Sequence, residues 1–108
     1  MPENPLKTIC SIDPEFMDHL KRTNELLYAD GALPKKFKYL MAMAFDAAHG
    51  AIPGVRHLAQ QAVNAGATKE EVAEALRIAY HFSGIGAIYI GSQGLDGVFE
   101  GEKRNADK

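Results

Sequence analysis

Two histidines, His49 and His57, lie on either side of a glycine-proline break near the middle of this 108-residue chain. Imidazole titrates near neutral pH, so a histidine beside a pocket can act as a general acid or base. Because the two rings could flank one pocket, His49 and His57 are candidate catalytic residues. Structural roles are the alternatives: His49 would complement a helix dipole as a cation, and His57 would be an exposed or interface side chain.

The same residues do not predict a metal site. A protein zinc site needs three or four ligands, and the two histidines have neither His-x-His nor His-x-x-x-His spacing. The chain also has a single cysteine, Cys10, which excludes an intramolecular disulfide and a pair of thiols acting within one chain. We therefore expect no metal and no cofactor.

Composition is typical of a globular protein with one domain, spanning residues 1–108. Of the residues, 46% are hydrophobic and 24% charged, and the formal net charge is −2. Basic residues form only short runs, so no nucleic-acid or anionic-membrane partner is expected. The longest apolar run is far below the roughly 20 residues of a membrane span. No leader is recognisable, which predicts a cytoplasmic location.

Helices are the elements that must position these residues, because no run alternates as a strand would. Residues 1–12 contain two prolines and no sustained period, which predicts an extended arm. Asp13 and Pro14 then suit the N-cap and the first position of a helix that ends near Gly31. Residues 101–108 are charged and uncapped, which predicts a frayed tail.

Apolar residues recur at helical spacing through the rest of the chain. After Pro34, steps of three and four residues predict one apolar face: Phe37, Leu40, Met41, Ala44, Phe45 and Ala48. Pro53 starts a further predicted helix that Gly66 ends. Thr68 and Glu71 form a capping box for the helix after it. A last helix is predicted for residues 87–99. Its three glycines lower its helix propensity, so we expect burial of its apolar residues to stabilise it.

The order of these features resembles a known superfamily over roughly residues 36–87. A Lys-x-Lys pair, an alanine-rich helix, a Gly/Pro break, a short helix and the sequence GATKEEV at residues 66–72 follow one another. This order resembles the carboxymuconolactone decarboxylase and alkyl hydroperoxidase D superfamily. The resemblance implies an all-α, alkyl hydroperoxidase D-like helical bundle that assembles with itself into homotrimers or hexamers.

The peroxidase branch of that superfamily implies a proton relay of a glutamate, a Cys-x-x-Cys pair and a histidine. Counted back without gaps from Gly66, these positions fall on Tyr39, Ala51, Gly54 and Leu58. All of them have changed, so the relay is degenerate and thiol peroxidase activity is not expected. The same positions are candidate ligand-cleft residues. Tyr39 can still donate a hydrogen bond to a ligand, in a cleft expected between subunits.

The decarboxylase branch keeps a histidine followed by leucine in this helix, which His57 and Leu58 resemble one residue out of register. A one-residue slip turns a helical side chain by about 100°, so His57 is expected on the polar side of its helix. Arg56 is either a ligand for a carboxylate or a solvated surface residue.

Three functions therefore remain open for the chain. One is divergent acid-base catalysis by His57 or His49 with Tyr39, with a decarboxylase-like lyase favoured over an alkyl hydroperoxide reductase. The second is an oligomer that binds a small molecule. The third is a non-catalytic structural or interaction oligomer. Family resemblance alone adds a peroxiredoxin-type oxidoreductase as a further alternative.

Overall fold

The computed structural model describes residues 6–100 and contains, within that range, only helices and the turns between them. The predicted all-α class is confirmed, whereas assembly into oligomers stays a prediction. Within the same range, no helix is both long and apolar enough to cross a membrane. The helices are α1 (Lys7–Ile12), α2 (Pro14–Leu27), α3 (Lys35–His49), α4 (Ile52–Asn64), α5 (Lys69–Ser83) and α6 (Ile85–Leu95).

The extended arm predicted for residues 1–12 is wrong for residues 7–12, which form α1. Both prolines of the arm precede residue 6, so no proline bars a helix there. Asp13 joins α1 to α2: its backbone N–H donates to the carbonyl of Ile9, and its Oδ1 accepts from the backbone N–H of Phe16 at 3.1 Å. Residues 1–5 and the predicted tail at 101–108 lie outside the described residues.

Local capping signals are confirmed at the start of α5. Oγ1 of Thr68 accepts from the backbone N–H of Glu71 at 3.1 Å, and Oε1 of Glu71 accepts from the backbone N–H of Thr68 at 2.9 Å. Oε2 of Glu71 also pairs with Nζ of Lys36 at 3.1 Å, which ties α5 to α3. These contacts lower the pKa of Glu71, the backbone hydrogen bond to Thr68 most and the Lys36 contact next.

Helices α3 to α6 enclose the core, and α3 buries only part of the face that its sequence predicts. Leu40, Met43 and Ala47 of α3 are buried. Phe37, Met41 and Phe45 are 42%, 50% and 63% exposed. The helix carries two overlapping apolar stripes, and the buried one includes the small Ala47, which lets neighbouring helices approach closely. The larger side chains of the second stripe therefore face outward.

The glycines of α6 permit close helix packing. A Cβ atom added at Gly91 would lie 2.8 Å from the δ-carbons of Leu76 on α5. One added at Gly94 would lie 2.6 Å from Cβ of Val55 on α4. Gly91 and Gly94 are both buried, so α6 packs by burial despite its weak helix propensity.

Candidate functional site

Helices α2, α3 and α4 form an open cleft with a volume of about 740 Å³. Among the predicted site residues, Tyr39, His57 and Leu58 line this cleft. It forms within a single chain, so Tyr39 needs no second subunit to reach it. The lining residues are Lys21, Asn24, Glu25, Tyr28, Ala29, Asp30, Lys35, Tyr39, His57, Leu58 and Gln61.

The side chains of Tyr28 and Tyr39 stack on each other in the wall of the cleft. Their ring centroids are 4.5 Å apart and the ring planes differ by 15°. Tyr28 directly follows α2, where its backbone N–H donates to the carbonyl of Asn24 at 2.9 Å. Burial raises the pKa of Tyr28 most. Electrostatic repulsion from Asp46 raises it further, and that from Tyr39 adds a smaller effect. The Tyr28 phenol therefore keeps its proton near neutral pH and can donate a hydrogen bond.

Asp46 lies close to this pair, on the same helix as Tyr39. Its side chain is half-buried, and burial raises the pKa of its carboxyl group, while nearby His49 lowers it to a smaller extent. The carboxyl group lies against Gly54 in the first turn of α4, where a Cβ atom would be 2.8 Å from Cγ of Asp46. A carboxyl group with a raised pKa can exchange a proton closer to neutral pH than an ordinary aspartate.

The two histidines proposed as a catalytic pair are not brought together at the cleft. His57 lines it and is exposed on the polar side of α4, as its register predicts. His49 is absent from the lining residues. Its ring lies beside that of Phe45, with centroids 6.4 Å apart. Acid-base catalysis by His57 or His49 with Tyr39 therefore stays a prediction. Outside the lining, His49 lowers the pKa of Asp46.

The four relay positions divide between two places. Tyr39 and Leu58 line the cleft, but Ala51 and Gly54 do not. Ala51 precedes α4, and its backbone N–H donates to the carbonyl of Asp46 at 2.9 Å. Residues 51–54 thus form the junction of α3 and α4, and none of them lines the cleft.

Like Lys21 and Lys35, Tyr28 is a cleft residue that the sequence did not predict. It lies outside the segment that carries the family resemblance, and its role depends on a contact between two helices. One signal was present in the sequence: Tyr28 stands about three helical turns after Met17, the buried residue of α2, so the helical period puts both on one side.

Arg56, a candidate ligand for a carboxylate, has a structural role instead. Its guanidinium group donates to the carbonyls of Gln93 and Asp96 at 3.0 and 2.9 Å. These carbonyls belong to the end of α6, where helix carbonyls lack partners within the helix. Arg56 therefore joins α4 to the C-terminus of α6 and is not a lining residue of the cleft.

Within residues 6–100, neither a cluster of metal ligands nor a thiol lies at the cleft. That part of the chain contains no group of three His, Cys, Asp or Glu side chains placed to hold a metal ion. Cys10 is an exposed free cysteine on α1, a helix that contributes no lining residue to the cleft.

A helical bundle whose cleft lies between α2, α3 and α4 defines the class of this protein. The model of the carboxymuconolactone decarboxylase family matches residues 14–89, which is most of the chain. The chain therefore belongs to the carboxymuconolactone decarboxylase family. No curated protein matches it significantly.

Two crystal structures share this fold. A carboxymuconolactone decarboxylase family protein from Legionella pneumophila is 29% identical, with a TM-score of 0.79 over 88% of this chain and 85% of that one. A proposed carboxymuconolactone decarboxylase from Burkholderia xenovorans LB400 is 25% identical, with a TM-score of 0.84 over 99% of this chain and 84% of that one.

Proposed function

We propose that this protein binds a small molecule in the cleft between α2, α3 and α4 and does not reduce peroxides with paired thiols. The observation that carries the proposal is the stacked pair of Tyr28 and Tyr39, which forms part of the cleft wall beside His57. Concave sites that combine apolar or aromatic surface with a few polar groups are the usual places for small ligands. The cleft makes a purely structural role the less favoured alternative.

The absence of paired thiols supports the second part of the proposal. The relay positions carry Tyr39, Ala51, Gly54 and Leu58, none of which can form a thiolate. The single thiol, Cys10, has no second cysteine in the chain to resolve an oxidised intermediate. A peroxiredoxin-type activity suggested by family membership therefore lacks its chemistry within one chain.

Self-association is part of the same proposal. The outward stripe of α3 presents Phe37, Met41 and Phe45, and the end of α5 presents Phe82, which is 81% exposed. Large apolar side chains at such exposures are costly in water and are typical of surfaces that bind another protein. We expect a homotrimer or hexamer. Light scattering coupled to gel filtration tests this, and a strictly monomeric protein would refute it.

Ligand binding is tested by screening small organic acids and uncharged aromatic compounds for a rise in melting temperature. The variants Tyr28→Ala and Tyr39→Ala should lose the rise for compounds that stabilise the wild type. Tyr89→Ala is the matched control, because Tyr89 is 63% exposed and does not line the cleft. Equal shifts in all four proteins would place the binding elsewhere and reject the proposal.

Acid-base catalysis of a decarboxylase-like kind is a second candidate, and the position of Asp46 favours it. Burial raises the pKa of Asp46, and the charge of Asp46 raises the pKa of the cleft residue Tyr28, which supports a role of Asp46 in proton transfer. Release of CO2 from a carboxylated lactone would test the activity. If this candidate is correct, Asp46→Asn and His57→Gln each lower the rate, whereas absence of CO2 release by the wild type rejects it.

A further inference from the structure

We infer that the cleft selects a planar, conjugated ring that carries an oxygen acceptor at its edge. The inference rests on the proposed function, since it specifies the chemical class of ligand for the same cleft. It joins two observations: the near-parallel tyrosine rings and the nitrogen donors around them.

Planarity follows from the geometry of Tyr28 and Tyr39. Two phenol rings at 4.5 Å with planes 15° apart form one flat aromatic block. Both residues are half-buried and line the cleft, so the pair contributes aromatic surface to its wall. A conjugated ring can extend the stack in an offset arrangement, whereas a saturated ring of the same size is puckered and has no π-system. The wall therefore discriminates by shape and electronic structure.

The polar edge follows from the nitrogen groups of the cleft. The side-chain ammonium groups of Lys21 and Lys35 have no ion-pair partner within residues 6–100. Of the two carboxylates in the lining, that of Asp30 already accepts a hydrogen bond from the backbone N–H of Lys35 at 2.8 Å. The other carboxylate, that of Glu25, has no ion-pair partner in this range either. The two ammonium groups are unpaired donors, and they suit a carboxylate or carbonyl oxygen on the ligand.

Two acids of equal charge and similar size test planarity directly. Benzoate and cyclohexanecarboxylate are titrated into the wild-type protein by calorimetry. We expect benzoate to bind about three to ten times more tightly, as an aromatic pair interaction would give. Tyr28→Leu and Tyr39→Leu should each bring the two affinities close together, whereas Tyr89→Leu keeps the preference.

The role of the ammonium groups is tested with benzoate and an uncharged aromatic compound. Lys35→Met should weaken benzoate binding about two- to fivefold, the size of an exposed ion pair, and should leave binding of toluene, which has no oxygen acceptor, nearly unchanged. Lys69→Met, on α5 away from the cleft lining, is the control.

Equal affinities for benzoate and cyclohexanecarboxylate in the wild type, or no binding of either, would overturn the inference. Failure of the proposed function looks different. In that case the melting-temperature screen would find no compound whose stabilising effect depends on Tyr28 or Tyr39. A non-aromatic compound that depends on these residues would leave the proposed function standing while the ring selectivity fails.

Discussion

The side chain of Asp46 occupies the space that a Cβ atom would need at Gly54. A Cβ atom at Gly54 would lie 2.8 Å from Cγ of Asp46 and still closer to Oδ2. Two atoms that are not bonded cannot stay this close without movement. The end of α3 and the first turn of α4 can therefore approach in this way only while residue 54 lacks a side chain.

Gly54→Ala should accordingly destabilise the wild-type protein by about 1–2 kcal/mol, because Asp46 or α4 must shift. In an Asp46→Ala background the same change should be neutral or stabilising, since alanine is the better helix former by up to about 1 kcal/mol. Urea unfolding of the four proteins in a double-mutant cycle gives the coupling energy. An equal effect of Gly54→Ala in both backgrounds would show that the two side-chain positions do not compete for space.

Burial raises the pKa of Asp46 above its ordinary value of 3.8, which makes stability depend on pH. The folded protein holds this proton more tightly than the unfolded chain does. The stabilisation is therefore complete below the ordinary pKa and is lost as pH rises through the raised one. Asp46→Asn removes this dependence, so its free energy of unfolding relative to wild type should rise between about pH 4 and pH 7. A difference that is constant or falls over this range would contradict the pKa direction.

Arg56 should be important for stability and unimportant for ligand binding. Its two hydrogen bonds to carbonyls at the end of α6 are charge-assisted, and Arg56→Ala should cost about 1–3 kcal/mol in the free energy of unfolding. Arg77→Ala is the control, because Arg77 is exposed on α5 and should change stability by less than about 0.5 kcal/mol. A folded Arg56→Ala protein that has lost only ligand affinity would instead support a binding role.

The capping box predicts that two substitutions at Thr68 lower stability by different amounts. Thr68→Ala removes the oxygen that accepts from the backbone N–H of Glu71 and should cost about 1 kcal/mol. Thr68→Ser keeps that oxygen and should stay within a few tenths of a kcal/mol of wild type. Thermal unfolding of both variants measures the difference, and equal losses would mean that the hydrogen bond contributes little.

Sequence predicted the parts of this fold that depend on neighbouring residues. Asp13 caps α2 and Thr68 with Glu71 caps α5, because a capping hydrogen bond spans only three residues. The exposed side of His57 also followed from helical register alone. Such features need no knowledge of tertiary packing.

Features set by contacts between helices could not be predicted in the same way. The choice of which α3 stripe to bury depends on how closely α4 and α5 approach Ala47, which the sequence of α3 does not specify. The partnership of Tyr28 with Tyr39 joins two helices across a turn, and no spacing rule connects them. The cleft therefore became visible only in three dimensions, although the family fold was recognisable from the sequence.

We propose that this family member keeps the family fold, binds a ligand in its cleft and lacks thiol redox chemistry. Peroxide consumption by wild-type protein and by Cys10→Ser, in the presence of a dithiol reductant, tests this claim most directly. We expect both proteins to leave the rate at its uncatalysed level. Rapid turnover by the wild type that is lost in Cys10→Ser would contradict the account.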